Sequence, residues 1–334
     1  YFFVFCKSAH EAGEASFNAL VYRPEIGIGY SFVANLLANA VSLLLLGPEF
    51  RDFKFGFDTA LWKKMLQYAW PLLVLGLAGM VNETFDRLIL KHLLPDGAGQ
   101  HAQGVYGACY KISVLMIVFI QAFRYAAEPF FFNNAKNADS KKVYAFVMKV
   151  FVIFCSFIFL GTMMNLPWLK YIVSPPYWEG LSVVPILLVA NLFLGVYFNL
   201  GIWYKLSGQT VYGAVITVAG ALITLSINFW FVPYYGFIAC AWATLAAYGV
   251  MMILSYLLGQ KHFPINYNIR AIGVFFTLAM GFYLLSLLWK DTALPLRLFL
   301  NNLLVFVFVY LFYKLEFSNI KNFKTTAVVN DQSN

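Results

Sequence analysis

Apolar runs of bilayer-spanning length occupy most of the chain, at about 28–46, 65–93, 104–127, 142–163, 181–203, 209–231, 236–258, 271–289 and 296–314. A helix needs roughly 20 residues to cross a ~30 Å hydrocarbon core, and each run supplies about that many. Backbone surrounded by lipid must satisfy its own polar groups, which leaves only helices and closed barrels. The runs lack the ~10-residue alternation of a membrane barrel. The sequence therefore predicts an all-α polytopic membrane protein with nine complete spans. Composition agrees, with 61% hydrophobic and only 11% charged residues, against roughly 25% charged in an ordinary soluble domain.

The chain opens on YFFVF without Met and reaches Cys6-Lys7 too early to span. These residues read as the last turns of a helix, and the sequence as the C-terminal part of a longer protein. Basic residues cluster on alternate sides of the spans. Arg51, Lys54, Lys63 and Lys64 fall in the first connection, Lys136, Lys141 and Lys142 in the third. Lys205, then Lys261 and Arg270, then Lys321 and Lys324 follow in the fifth, seventh and C-terminal segments. The connections between are poor in basic residues, with exceptions at Lys7, Arg23, Lys290 and Arg297. By the positive-inside rule the richer side is cytoplasmic. This predicts a multi-pass protein of the inner cell membrane, with loop 6–27 outside and the C-terminus inside. The polar tail after Lys314 reads as disordered.

The net charge of +8 is dispersed between apolar runs rather than gathered on one basic face, which argues against nucleic acid. Cys6, Cys109, Cys155 and Cys240 stand apart, and so do His10, His92, His101 and His262. Without CxxC or another ligand spacing, no metal site is expected, and the three cysteines within spans read as small buried hydrophobes. GYSFVANLLANAV (29–41) lies over GFIACAWATLAAY (236–248), a faint internal repeat of Gly and Ala positions. Duplicated halves are common in transporters.

The second span carries GLAGMVNETFDRLILKHLL (76–94), with four polar residues at a depth where lipid tolerates few. On a helix, with Asn82 at 0°, Asp86 falls at about 40°, Glu83 at about 100° and Arg87 at about 140°. Gly79 and Gly76 lie in the same arc, at about 60° and 120°. One face is thus polar and small, and it is expected to meet protein or water. Glu83 and Arg87, at i and i+4, are placed to pair. The choice lies between a structural ion pair and a pathway, and ionisable residues inside spans more often line a pathway. Pro71, followed by Gly76 and Gly79, marks a possible hinge.

In the next span Gln121, Arg124 and Glu128 share a stripe near the cytoplasmic end, while Lys111 lies off it near the outer end. An interfacial anchor is the alternative for that stripe, and snorkelling for Lys111 and Lys149. Asn191, Gly195 and Asn199 form a small-polar stripe that suits helix packing as well as a substrate path.

The stretch LWKKMLQYAWPLLVLGLAGMVNETFDRLILKHLLP, followed by GVYGACYKISVLMIVFIQAFRYAAEPFFF, resembles the polysaccharide-biosynthesis flippases that move lipid-linked oligosaccharides. These belong to the multidrug, oligosaccharidyl-lipid and polysaccharide exporter superfamily. The resemblance extends over nearly the whole chain through order and spacing rather than one diagnostic motif. It implies a two-lobed exporter-type helix bundle. On that template residues 1–46 end the first lobe, 47–64 form the cytoplasmic inter-lobe linker, 65–258 the second six-helix lobe, and 259–334 two extra spans and a tail. It implies transport of a polyprenyl-diphosphate glycan lipid from the cytoplasmic to the outer leaflet. The chain shows no DxD, nucleophile elbow or zinc signature, so the expectation is a monomeric transporter rather than an enzyme, without cofactor, with H⁺ or Na⁺ as the coupling ion. The family's Asp-Arg pair matches Asp86 and Arg87. Arg87, Arg124, Lys111, Gln121 and Asn82 are then expected along the headgroup path, with Glu83, Asp86 and Glu128 balancing charge. An Arg fork suits a diphosphate. The rival readings are a cation-coupled drug exporter of the same fold and a membrane glycosyltransferase or polymerase. The long loop 6–27 departs from the family's usual tight turn.

Overall fold

The computed structural model describes residues 29–50, 56–95, 97–135 and 139–331, with side chains through Glu316 apart from those of 49–50. Loop 6–27 lies outside the described residues. The chain divides into two compact units, residues 1–62 and 63–334. In the first, α1 (Gly29–Leu45) is followed by a 3-10 turn at Gly47–Phe50. Asp58 then starts the next helix. Its carboxylate accepts from the backbone N–H groups of Ala60 at 2.8 Å and Leu61 at 3.1 Å, satisfying donors that a helix start leaves unpaired. Helix therefore begins at Thr59, inside the segment read as linker.

The helices that follow are α2 (Thr59–Leu93), α3 (Ala98–Asn134), α4 (Ser140–Met164), α5 (Val184–Leu200), α6 (Thr210–Tyr235), α7 (Phe237–His262), α8 (Ile269–Ser286) and α9 (Leu294–Asp331). A 3-10 stretch, Pro175–Val183, leads into α5, and a short helix, Ile202–Leu206, continues it. Among the described residues eight helical segments are long and apolar enough to cross a membrane, and α1 is a shorter apolar helix of 17 residues. The expected disorder after Lys314 is not seen, since α9 runs on to Asp331. Phe317, Ile320 and Phe323 recur at i, i+3 spacing, which continues a helical period beyond the span.

Within the second unit α7 packs closely on α5 and α6, and α3 on α4 and α5, while α8 and α9 both dock on α4. The core lies where α3, α4 and α5 meet, around Cys109, Met116, Phe151, Leu160 and Leu188. Gly195 permits that approach: a Cβ there would stand 2.5 Å from the Phe151 ring. Gly236 joins α6 to α7 in a single residue at φ +55°, ψ −136°, a conformation open to glycine and closed to residues with a Cβ.

Polar side chains hold α9 antiparallel to α4. Asn301 donates to the Met164 carbonyl at 2.7 Å, and Asn302 to the Asn165 side chain at 3.2 Å. At the other end Lys149 donates to Glu316 at 2.5 Å, both side chains being buried. Lys149 thus does not snorkel; it is ion-paired in the bundle because α9 brings a carboxylate to it. Pro71 is buried in α2, which runs unbroken through it.

Candidate functional site

Asp86 and Asn82 project from α2 one turn apart, and each is 2% exposed. Three donors reach the Asp86 carboxylate: Asn228 Nδ2 at 2.5 Å, Thr244 Oγ1 at 2.9 Å and the Tyr106 hydroxyl at 3.1 Å. They come from α6, α7 and α3. Asn82 Oδ1 accepts from Thr224 Oγ1 at 2.8 Å, and its amide faces Met251 Sδ at 3.7 Å. One buried polar knot therefore ties α2 to three other helices.

The knot also sets register. Thr210 Oγ1 donates to the Tyr68 carbonyl at 3.1 Å, Thr224 to Asn82 and Asn228 to Asp86, and all three pairs are 142 residues apart in sequence. A constant offset means that α2 and α6 run parallel without slippage. Glycines on α6 make the room. A Cβ on Gly213 would meet Leu75 at 2.8 Å, and one on Gly220 would meet the Asn82 amide at 3.3 Å.

The polar arc read from sequence divides in two. Asn82 and Asp86 turn into the bundle, whereas Glu83 is exposed and Arg87 half-buried. Glu83 and Arg87 do not form the ion pair their spacing allows: Arg87 lies over the Tyr110 ring, 4.8 Å from its centroid, and its buried Nε has no partner. Stacking on the aromatic face draws the guanidinium along α3 and away from the carboxylate one turn earlier. The glycine edge is open, with nothing within 4 Å of a Cβ on Gly76 or Gly79.

A second cluster sits further along α3. Glu128 accepts from Lys205 at 2.5 Å and lies 3.4 Å from Arg124. Arg124 in turn stacks over Phe198 at 4.8 Å. About 21 Å of helix separates Tyr110 from Arg124, at ~1.5 Å per residue. Gln121 is half-buried and Lys111 exposed on α3. Asn191 and Asn199 are buried, each with an amide nitrogen that lacks a partner. The structure thus brings Asn82 with Asp86 and Arg124 with Glu128, and leaves Lys111 apart from both groups. Sequence reading missed Tyr106, Thr224, Asn228 and Thr244, which look like ordinary span residues until the fold assembles them. It also missed Lys205, which had been counted only as a loop charge.

A family model described as polysaccharide biosynthesis protein matches residues 18–135, the segment that carries α2, Asp86, Arg87 and Arg124. Over those residues the chain is similar to that family. A solved structure, the lipid II flippase MurJ in an inward closed conformation, superposes with a TM-score of 0.57 over 84% of this chain and 60% of that one. At 13% identity the likeness is one of fold, and it supports an exporter-type helix bundle. The chain spans about 60% of that flippase's length. The comparison with curated proteins gave no match.

Proposed function

We propose that this chain is part of a flippase that moves a polyprenyl-diphosphate-linked oligosaccharide from the inner to the outer leaflet for cell-surface polysaccharide synthesis. The observation that carries the reading is the state of Arg87. Its neighbour Asp86 is saturated by three hydrogen bonds, and Glu83 does not pair with it. A half-buried guanidinium without a carboxylate partner is a counter-charge for an anion that arrives from elsewhere. A diphosphate headgroup is such an anion, and carrying it through bare lipid would be prohibitive. Arg124 supplies a second cation at another depth. The family match and the MurJ-like fold support transport over catalysis.

In this reading the protein acts as a monomer in the inner membrane, with its C-terminus cytoplasmic. Glu83, exposed one turn from Arg87, is the carboxylate available to a coupling H⁺ or Na⁺. Asn82 and Asp86 hold the helix that presents both. Gln121 and Lys111 supply further polar contacts along the path. The second lobe, 65–258, forms one wall of that path, and the spans of 259–334 flank it.

The test is leaflet exchange in vesicles containing the full-length protein and a fluorescent polyprenyl-diphosphate sugar. Dithionite should quench more dye than the outer leaflet of protein-free vesicles contains. Quenching equal to the protein-free control would reject the proposal. Extrusion of a cationic dye in its place would favour the drug-exporter reading.

A further inference from the structure

One oxygen of Glu128 serves two cations. Oε1 lies 2.5 Å from Lys205 Nζ and 3.4 Å from Arg124 Nε, so the trio keeps an excess of positive charge. Glu128 remains 36% exposed. The same three side chains, with Phe198 and Asn199, line a narrow pocket between α3 and the end of α5. Asn199 is 6% exposed, and its Nδ2 has no acceptor. Burying an amide donor unpaired is costly, and this one faces a site where two cations already converge. A plain interfacial anchor explains the ion pairs. It does not explain the buried amide of Asn199, which has no acceptor.

We propose that Arg124, Lys205 and Asn199 form a diphosphate-binding site at the inner end of the second lobe, in which Glu128 is a displaceable stand-in for the ligand. The inference rests on the transport reading above and deepens it by naming where the headgroup is first held. A carboxylate brings one negative charge to the cluster, and a diphosphate brings more, with several acceptor oxygens. The incoming headgroup takes Arg124 and Lys205 from Glu128 and gives the Asn199 amide its missing acceptor. Glu128 then turns to solvent. Once the headgroup leaves towards Arg87, Glu128 returns and the site resets. Its role is to keep two clustered cations neutral enough to fold while empty, and to set a threshold that weak monoanions do not pass. Phe198, under the Arg124 guanidinium, holds the fork in place during the exchange.

The experiment measures calorimetric binding of geranylgeranyl diphosphate and of inorganic pyrophosphate to the full-length protein in nanodiscs. Glu128→Gln removes the competing charge and should tighten binding of the prenyl diphosphate. Lys205→Gln and Asn199→Leu should each weaken it, the lysine change by about tenfold, the scale of one charge-assisted hydrogen bond. Lys205→Arg should recover most of the loss, which separates binding from misfolding. The prenyl diphosphate should bind more tightly than pyrophosphate; equal affinity would overturn the assignment to a lipid headgroup. If wild-type protein binds the prenyl diphosphate and Glu128→Gln weakens that binding or leaves it unchanged, this site is refuted while the transport proposal stands. If wild-type protein binds neither diphosphate, both fall.

Discussion

Donors from three helices converge on the Asp86 carboxylate, and all three are buried, Asn228 and Tyr106 almost completely. Removing the acceptor strands them together, so Asp86→Ala should lower stability by about 1–3 kcal/mol, the usual cost of leaving buried polar groups unpaired. Asp86→Asn should cost less, because one amide oxygen still accepts. Thermal unfolding of the detergent-solubilised protein checks both. Arg87→Gln should leave the melting temperature close to wild type, since its guanidinium makes a ring contact rather than an ion pair. Under the proposed function the two neighbours thus separate a holding residue from one that meets the headgroup. Helical periodicity was enough to put Asn82, Asp86, Glu83 and Arg87 in one arc. It could not divide that arc, because the dividing partners lie far along the chain. Thr244 is 158 residues from Asp86 in sequence, and nothing about an isolated threonine in an apolar span marks it as a donor.

Helices here are registered by polar contacts rather than by apolar packing alone. The fixed offset between α2 and α6 is one case, and the antiparallel ties of α9 to α4 are another. Thr224→Val should weaken the first by about 0.5–2 kcal/mol, the range for hydrogen bonds between membrane helices. Lys149→Met is expected to destabilise more strongly, because it leaves the buried Glu316 carboxylate without its lysine. Lys149→Met with Glu316→Gln should regain part of the loss, since a buried pair costs more when broken than when replaced. Gly195→Ala should be disruptive, with the Phe151 ring 2.5 Å from the new methyl. Gly76→Ala and Gly79→Ala should fold normally, as the space around both is open. Melting curves of these variants provide the comparison. Span positions were legible because hydrophobic length is a property of each segment by itself. The pairing of Lys149 is not legible because its partner sits 167 residues away, in the segment after Lys314 that the sequence presents as a disordered tail.

At the scale of the whole molecule, alternating basic connections and the parallel course of α2 and α6 agree on direction. Four reversals separate these two helices, so they must point the same way. Cysteines placed at Gln100 and Lys141 should therefore label from opposite sides of the membrane, Gln100 from outside. Labelling of both from one side would break the topology. Function was legible to the extent that charge inside a span demands a reason. The fold uses Asp86 in hydrogen bonds and sets Arg87 over a tyrosine ring, a division that no single span shows by itself. The most direct measurement is surface-glycan display in cells whose only copy of the full-length protein carries Arg87→Gln or Arg87→Lys, at matched membrane levels. The account predicts that the Gln variant folds and loses display, while the Lys variant keeps part of it by retaining charge without the bidentate fork. Normal display by a folded Arg87→Gln protein would contradict it.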